Sequence, residues 1–195
     1  MKLYYCRAVD GFDYTRAEAL IDPERLARTR RLPPNKQPAS LTAGLLMRYS
    51  LLQERIPYSC LQLLPNGKPH LLWGDKYISI SHSEHHAICG VDRFPIGVDI
   101  QVVSLPRERL ICRVCSHLEQ EYIHKSPCPA TAFTSLWVLK ESYVKLLGCG
   151  IGTDLAAISF DMKEGSIQGP KGYSFKLSHE IAGAVIGVCT QNPPQ

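Results

Sequence analysis

Ile80-Ser81-His82-Ser83-Glu84-His85-His86-Ala87-Ile88-Cys89-Gly90 is echoed near the end of the chain by Leu177-Ser178-His179-Glu180-Ile181-Ala182-Gly183-Ala184-Val185-Ile186-Gly187, with Ser-His, Ala and Gly in matching places. In both stretches a strand gives way to a turn and a second strand, which predicts one strand-turn-strand unit used twice. The chain has 195 residues, enough for one ordinary domain or two small lobes sharing a core. The expected fold is therefore α+β, a pseudo-twofold arrangement of two similar α/β lobes with a cleft between them, spanning 1–101 and 102–195.

Working outward from the first copy, Ala87 to Val91, Asp92-Arg93-Phe94-Pro95 and Ile96 to Gln101 read as a β-hairpin. On its second strand Ile96, Val98 and Ile100 share one face, while Gly97, Asp99 and Gln101 share the other. The face with Asp99 reads as the side away from the core, either solvated or lining a cleft. Upstream, a first strand runs from Met1 to Ala8, and Asp22-Pro23 starts a helix to about Leu32. A second helix follows from about Ser40 to Arg55, with Leu41, Leu45, Leu46 and Leu52 at helical spacing. The turn Pro65-Asn66-Gly67-Lys68-Pro69 leads to short strands at His70 to Trp73 and Tyr77 to Ser81. Downstream, a helical stretch runs from Pro106 to Cys115, and Ser116-His117-Leu118-Glu119 has the spacing of a capping box. A long helix, Ala132 to Leu147, is ended by Gly148 and Gly150. Strands are expected at Ala156 to Met162, Tyr173 to Ser178 and Ala182 to Cys189.

The hydrophobic fraction is 45% and the charged fraction 21%, with no apolar run long enough for a membrane span. The opening Met1-Lys2-Leu3-Tyr4-Tyr5-Cys6 has too short an apolar stretch for a secretory signal, so the expected location is cytoplasmic. Eight cysteines are scattered through apolar segments (Cys6, Cys60, Cys89, Cys189), which favours reduced thiols. Cys112-x-x-Cys115, near Cys128, His117 and His124, could begin a zinc site, but no second pair follows and core thiols are favoured. The net charge is +4, with Arg25, Arg28, Arg30 and Arg31 clustered early. Such a patch attracts a phosphorylated cofactor, an acidic protein or nucleic acid, and a solvated helix face explains it equally well. Aromatic residues are not interleaved with the arginines as a base-stacking platform requires.

The sharpest chemical feature is Trp137-Val138-Leu139-Lys140-Glu141-Ser142-Tyr143-Val144-Lys145. Leu136, Leu139, Tyr143 and Leu146 form an apolar stripe, so Trp137, Glu141 and Lys145 lie together on another side. Alone, a Glu-Lys pair at this spacing is a common surface decoration. Set against Asp99, Glu141 would complete a carboxylate metal site, with Lys145 in reach of a phosphate oxygen and Gln101 offering a neutral oxygen. His82, at a strand end between two serines, is either a phosphate donor or a capping or core histidine.

Gly97-Val98-Asp99-Ile100 and Trp137 to Lys145, preceded by Gly67-Lys68-Pro69 and Ile80-Ser81-His82-Ser83, resemble the 4'-phosphopantetheinyl transferases, specifically the monomeric two-lobed type that activates nonribosomal peptide and polyketide synthases. The resemblance covers nearly the whole chain. It implies transfer of the phosphopantetheine arm of coenzyme A to a carrier-protein serine, with Asp99 and Glu141 as ligands of Mg2+ or Mn2+. It implies that Lys145 contacts phosphate, and that Arg25, Arg28, Lys68, Ser81 and His82 hold the nucleotide end with its 3'-phosphate. The acceptor it implies is an acidic acyl or peptidyl carrier protein, docking around Cys112 to Tyr122 and the loop through Pro129. Two positions depart from the family's pattern: Gln101 stands where many relatives have a third acidic ligand, and Ala39 where some have a basic residue. The competing expectations are a metal-dependent phosphohydrolase acting on a nucleotide cofactor and a basic nucleic-acid-binding module.

Overall fold

The computed structural model describes residues 1–9, 13–150, 152–163 and 166–193. It resolves into two compact units, Met1–Pro95 and Ile96–Gln195. The division falls before Ile96 and not after residue 101, because the strand carrying Asp99 pairs along its whole length with the last strand of the chain.

The first unit holds β1 (Lys2–Arg7), α1 (Thr15–Glu18), α2 (Pro23–Thr29), α3 (Gln37–Gln53), β2 (Leu61–Leu63), β3 (Pro69–Leu71), β4 (Tyr77–Ser83) and β5 (His86–Asp92). Asp22 caps α2 as its type predicts, its Oδ1 accepting from the Arg25 N–H at 3.0 Å with Pro23 in the first turn. An antiparallel sheet in the order β1-β5-β4 packs against α3, with Ala43, Leu46, Met47 and Leu51 of the helix meeting Ile78, Ala87, Cys89 and Val91. Leu52, expected on the apolar side of this helix, is 71% exposed, while Ser40, Thr42 and Ser50 are buried.

The second unit holds β6 (Ile96–Val102), α4 (Glu108–Val114), α5 (His117–Lys125), α6 (Pro129–Leu147), β7 (Asp161–Lys163), β8 (Ser166–Gln168), β9 (Tyr173–Ser178) and β10 (Ala184–Gln191). Its sheet runs β6-β10-β9, against which α6 packs. The two units thus share one plan: an opening strand, a long helix, then a hairpin whose second strand becomes the centre of the sheet. The Ile80 and Leu177 echo marks that hairpin in both, β4-β5 and β9-β10.

Two local expectations change. The predicted hairpin across Asp92 to Pro95 does not form, because β5 already has β1 on one edge and β4 on the other, and β6 pairs with β10. The strand expected at Ala156 to Met162 is instead a short turn, Leu155–Ala157, followed by β7. There Asp154 caps the Ala156 N–H, and the Phe160 N–H donates to the Glu119 carboxylate, which takes the backbone away from any ladder. All eight cysteines are free, with Cys60, Cys89, Cys115 and Cys189 buried, and Cys6 exposed despite its apolar surroundings in sequence.

Candidate active site

The site in the second unit starts from two residues without side chains. Gly187 on β10 lies opposite Asp99 on β6, and Gly97 lies two residues before Asp99 on the same face. A Cβ on Gly97 would lie 1.8 Å from the Ser142 carbonyl oxygen, and one on Gly187 2.5 Å from that of Val138. The backbone of α6 therefore rests directly on these glycines, closer than any side chain would allow. This reverses one expectation: the face with Gly97 and Asp99 is not turned away from the core but lies beneath α6, and Asp99 is 5% exposed.

Because α6 lies so low, its side chains reach the strand. Lys145 Nζ donates to Asp99 Oδ1 at 2.5 Å, with the lysine side chain 30% exposed. Glu141, one turn earlier and half-buried, has its carboxyl pKa raised first by burial and then by the negative charge of Asp99, with Lys145 opposing. Two carboxylates that feel each other's charge, with a lysine beside them, are thus gathered on one patch. Trp137 lies one turn before Glu141, packed on Phe133 with ring centroids 5.9 Å apart. Gln101, half-buried and opposite Val185, continues the Asp99 side of β6 by strand alternation.

Among the described residues, no group of three or more His, Cys, Asp or Glu side chains could hold a metal ion. The Asp99 and Glu141 carboxylates, with the Gln101 amide two residues further along the strand, are oxygen donors of the kind a hard cation prefers. Burial first and the Asp99 charge second raise Glu141, and a cation bound between the carboxylates would oppose both.

In the first unit, Arg28 Nη2 pairs with Glu24 at 2.6 Å and donates to the carbonyls of Pro65 at 3.1 Å and Leu64 at 3.4 Å. This ties it to the turn carrying Lys68, whose N–H donates to Asn66 Oδ1 at 3.0 Å. Arg25 donates to the Ser40 carbonyl at 3.4 and 3.3 Å, and burial lowers its pKa. Ser81, buried, and His82, half-buried, alternate on β4 opposite Ile88 and Ala87. Ala39 is a buried residue of the first turn of α3.

Sequence reasoning missed the role of Lys140. Its side chain and that of Glu119 are each 1% exposed and form an ion pair at 2.6 Å. A signal was there: Lys140 falls one turn after Leu136 and one before Val144, both buried, so its place on the helix is an interior one.

The model of the 4'-phosphopantetheinyl transferase superfamily matches residues 95–189, a span that includes Asp99, Gln101, Glu141 and Lys145. The chain is 34% identical over 119 residues to the 4'-phosphopantetheinyl transferase gsp of Aneurinibacillus migulanus, covering 57% of this chain and 49% of that protein. It is 28% identical over 208 residues to the 4'-phosphopantetheinyl transferase Sfp of Bacillus subtilis, covering 98% of this chain and 91% of that one. The chain thus spans about half the length of the first relative and most of the second. A crystal structure of the holo-[acyl-carrier-protein] synthase of Thermotoga maritima aligns with a TM-score of 0.45 at 18% identity, over 52% of this chain and 65% of that one. Over residues 95–189 the chain is thus similar to the 4'-phosphopantetheinyl transferase superfamily. No helix among the described residues is long and apolar enough to cross a membrane.

Proposed function

We propose that this protein transfers the 4'-phosphopantetheine group from coenzyme A to a serine of an apo acyl or peptidyl carrier protein, releasing 3',5'-adenosine bisphosphate. The observation that carries the reading is the gathering of Asp99, Glu141 and Lys145 on one patch, inside the span matched by the superfamily. In the reaction the serine Oγ forms a bond to the β-phosphorus of coenzyme A. The bridging P–O bond to the adenosine bisphosphate breaks, and the hydroxyl proton leaves. Glu141 is the first candidate to accept that proton, because a carboxyl with a raised pKa is the stronger base, and Lys145 is the second. Lys145 otherwise places positive charge where the phosphate oxygens gain negative charge. Asp99 and Glu141, with the Gln101 amide, would hold Mg2+ or Mn2+, which supplies charge withdrawal from the pyrophosphate oxygens.

Arg25, Arg28, Lys68, Ser81 and His82 are assigned to the nucleotide end of coenzyme A. The contact of Arg28 with the Lys68 turn supports that reading. The engagement of Arg25 with the Ser40 carbonyl makes it the weaker member of the set. The carrier is assigned to α4 and α5, where Leu110, Leu118 and Tyr122 are 36%, 77% and 38% exposed beside exposed Arg109 and Arg113. An apolar surface rimmed by arginines suits a small acidic helical domain.

The test is intact-mass measurement of candidate apo carriers incubated with the protein, coenzyme A and magnesium. The expected gain is ~340 Da, the mass of the transferred group. Phosphate release from coenzyme A with every carrier unmodified would sink the transferase reading in favour of a phosphohydrolase.

A further inference from the structure

The residue that precedes Glu141 points into the protein interior. An ammonium group has three N–H donors and no acceptor. Lys140 Nζ places its donors on the Val114 carbonyl at 2.7 Å, the Leu155 carbonyl at 3.0 Å and Glu119 Oε2 at 2.6 Å. Glu119 in turn accepts from the Ser116 N–H at 2.7 Å and, through Oε1, from the Phe160 N–H at 2.9 Å. One buried ion pair thereby joins α6 to the last turn of α4, the first turn of α5 and the segment from Leu155 to Phe160. A well-packed apolar pair is often at least as stabilising as a buried ion pair. What an apolar pair lacks is a three-point anchor of fixed direction.

We propose that Lys140, acting through Glu119, is a positioning residue: the anchored ammonium sets the rotation of α6 about its own axis, and so the placement of Glu141 and Lys145 against Asp99. Its functional weight rests on the transferase reading above. Gly97 and Gly187 set how low the helix lies, but, having no side chains, they add no knob that would key its rotation. Successive helical residues are roughly 100° apart, so Lys140 pulls about a quarter-turn away from Glu141 and about 140° from Lys145. At a side-chain radius of about 6 Å, a roll of only about 5° displaces a carboxylate by about 0.5 Å. That displacement is already the tolerance of a working constellation, roughly 0.5 Å.

Lys140→Met alone strands a buried carboxylate and is expected to cost much of the stability. The informative variant is Lys140→Met/Glu119→Gln in the full chain, which removes both charges. Its crystal structure is expected to show α6 rolled, with the Lys145-Asp99 contact, now 2.5 Å, opened beyond hydrogen-bond reach. Mn2+ binding, followed by the free-ion EPR signal well below the melting temperature, is expected to weaken at least about tenfold, the scale of losing support behind a metal ligand. Leu46→Ala, which thins the core of the first unit, serves as a control for lost stability and should leave Mn2+ affinity unchanged. A double variant with α6 unmoved and the Lys145-Asp99 contact intact overturns the proposal, whatever its melting temperature. If the double variant does not fold, Lys140→Arg takes its place with the same readouts, because a planar fork cannot reproduce the three-point anchor. A wild-type protein that binds no Mn2+ would refute the metal role proposed above, while the roll of α6 in the crystal would still decide this inference.

Discussion

Replacing Gly97 by alanine tests how the site is assembled, because it adds one methyl group and alters no titrating group. The new Cβ would lie 1.8 Å from the Ser142 carbonyl oxygen and 2.7 Å from the Leu146 nitrogen, both backbone atoms that no rotamer change can move aside. To restore even a tight contact α6 must lift by at least about 1.2 Å, since interiors pack too densely to absorb the overlap. Overpacking of this kind costs about 1–3 kcal/mol, which for a chain of this size lowers Tm by roughly 2–12 °C. The same lift carries Lys145 away from Asp99, a contact of 2.5 Å that does not survive it. A misplacement of about 1 Å in a reacting constellation costs about a hundredfold in rate. We therefore expect Gly97→Ala to remain folded by circular dichroism, melt lower and modify an apo carrier about a hundredfold more slowly at saturating coenzyme A. Gly187→Ala, where the added Cβ meets the Val138 oxygen at 2.5 Å, should show the same effects in smaller measure. If Gly97→Ala matches the wild type in both Tm and transfer rate, the close seating of α6 is not what builds the site.

Three further outcomes are expected. Asp99→Ala and Glu141→Ala should each abolish metal-dependent carrier modification while leaving a measurable thermal transition, and an undiminished mass shift with either variant would refute their assignment. Gln101→Glu should retain transfer and change the magnesium and manganese concentrations needed for half-maximal rate, whereas an inactive, folded and metal-saturated variant would count against a ligand-like role. Burial pushes the Glu54 pKa up, but hydrogen bonds from Lys76, Tyr4 and Lys2 outweigh it and bring it from 4.5 down to about 2. A depressed carboxylate stabilises the fold above its unfolded pKa and loses that contribution as pH falls through the folded one. Acid unfolding of the wild type should therefore steepen between pH 4.5 and about 2, and Glu54→Gln should flatten that limb in a pH series of melting temperatures.

The chain's local chemistry was legible wherever one residue type acts on its own neighbours. Asp22-Pro23 started a helix, Ser116 and Glu119 formed the capping box, and Gly148, with φ of 74°, ended α6. The echo between Ile80 and Leu177 revealed two hairpins of the same plan, because strand pairing across a short turn is itself local. Strand alternation grouped Asp99 with Gln101, and helical periodicity grouped Trp137, Glu141 and Lys145, without any knowledge of what covers them. What covers them was settled only by tertiary contact. Periodicity defines two faces of a strand but not which one a helix will lie on, and Gly97 and Gly187 decided that by leaving room for a backbone. The same limit hid Lys140: a charge can enter the interior when partners distant in sequence satisfy it, and the carbonyls of Val114 and Leu155 and the carboxylate of Glu119 meet only once the chain has folded.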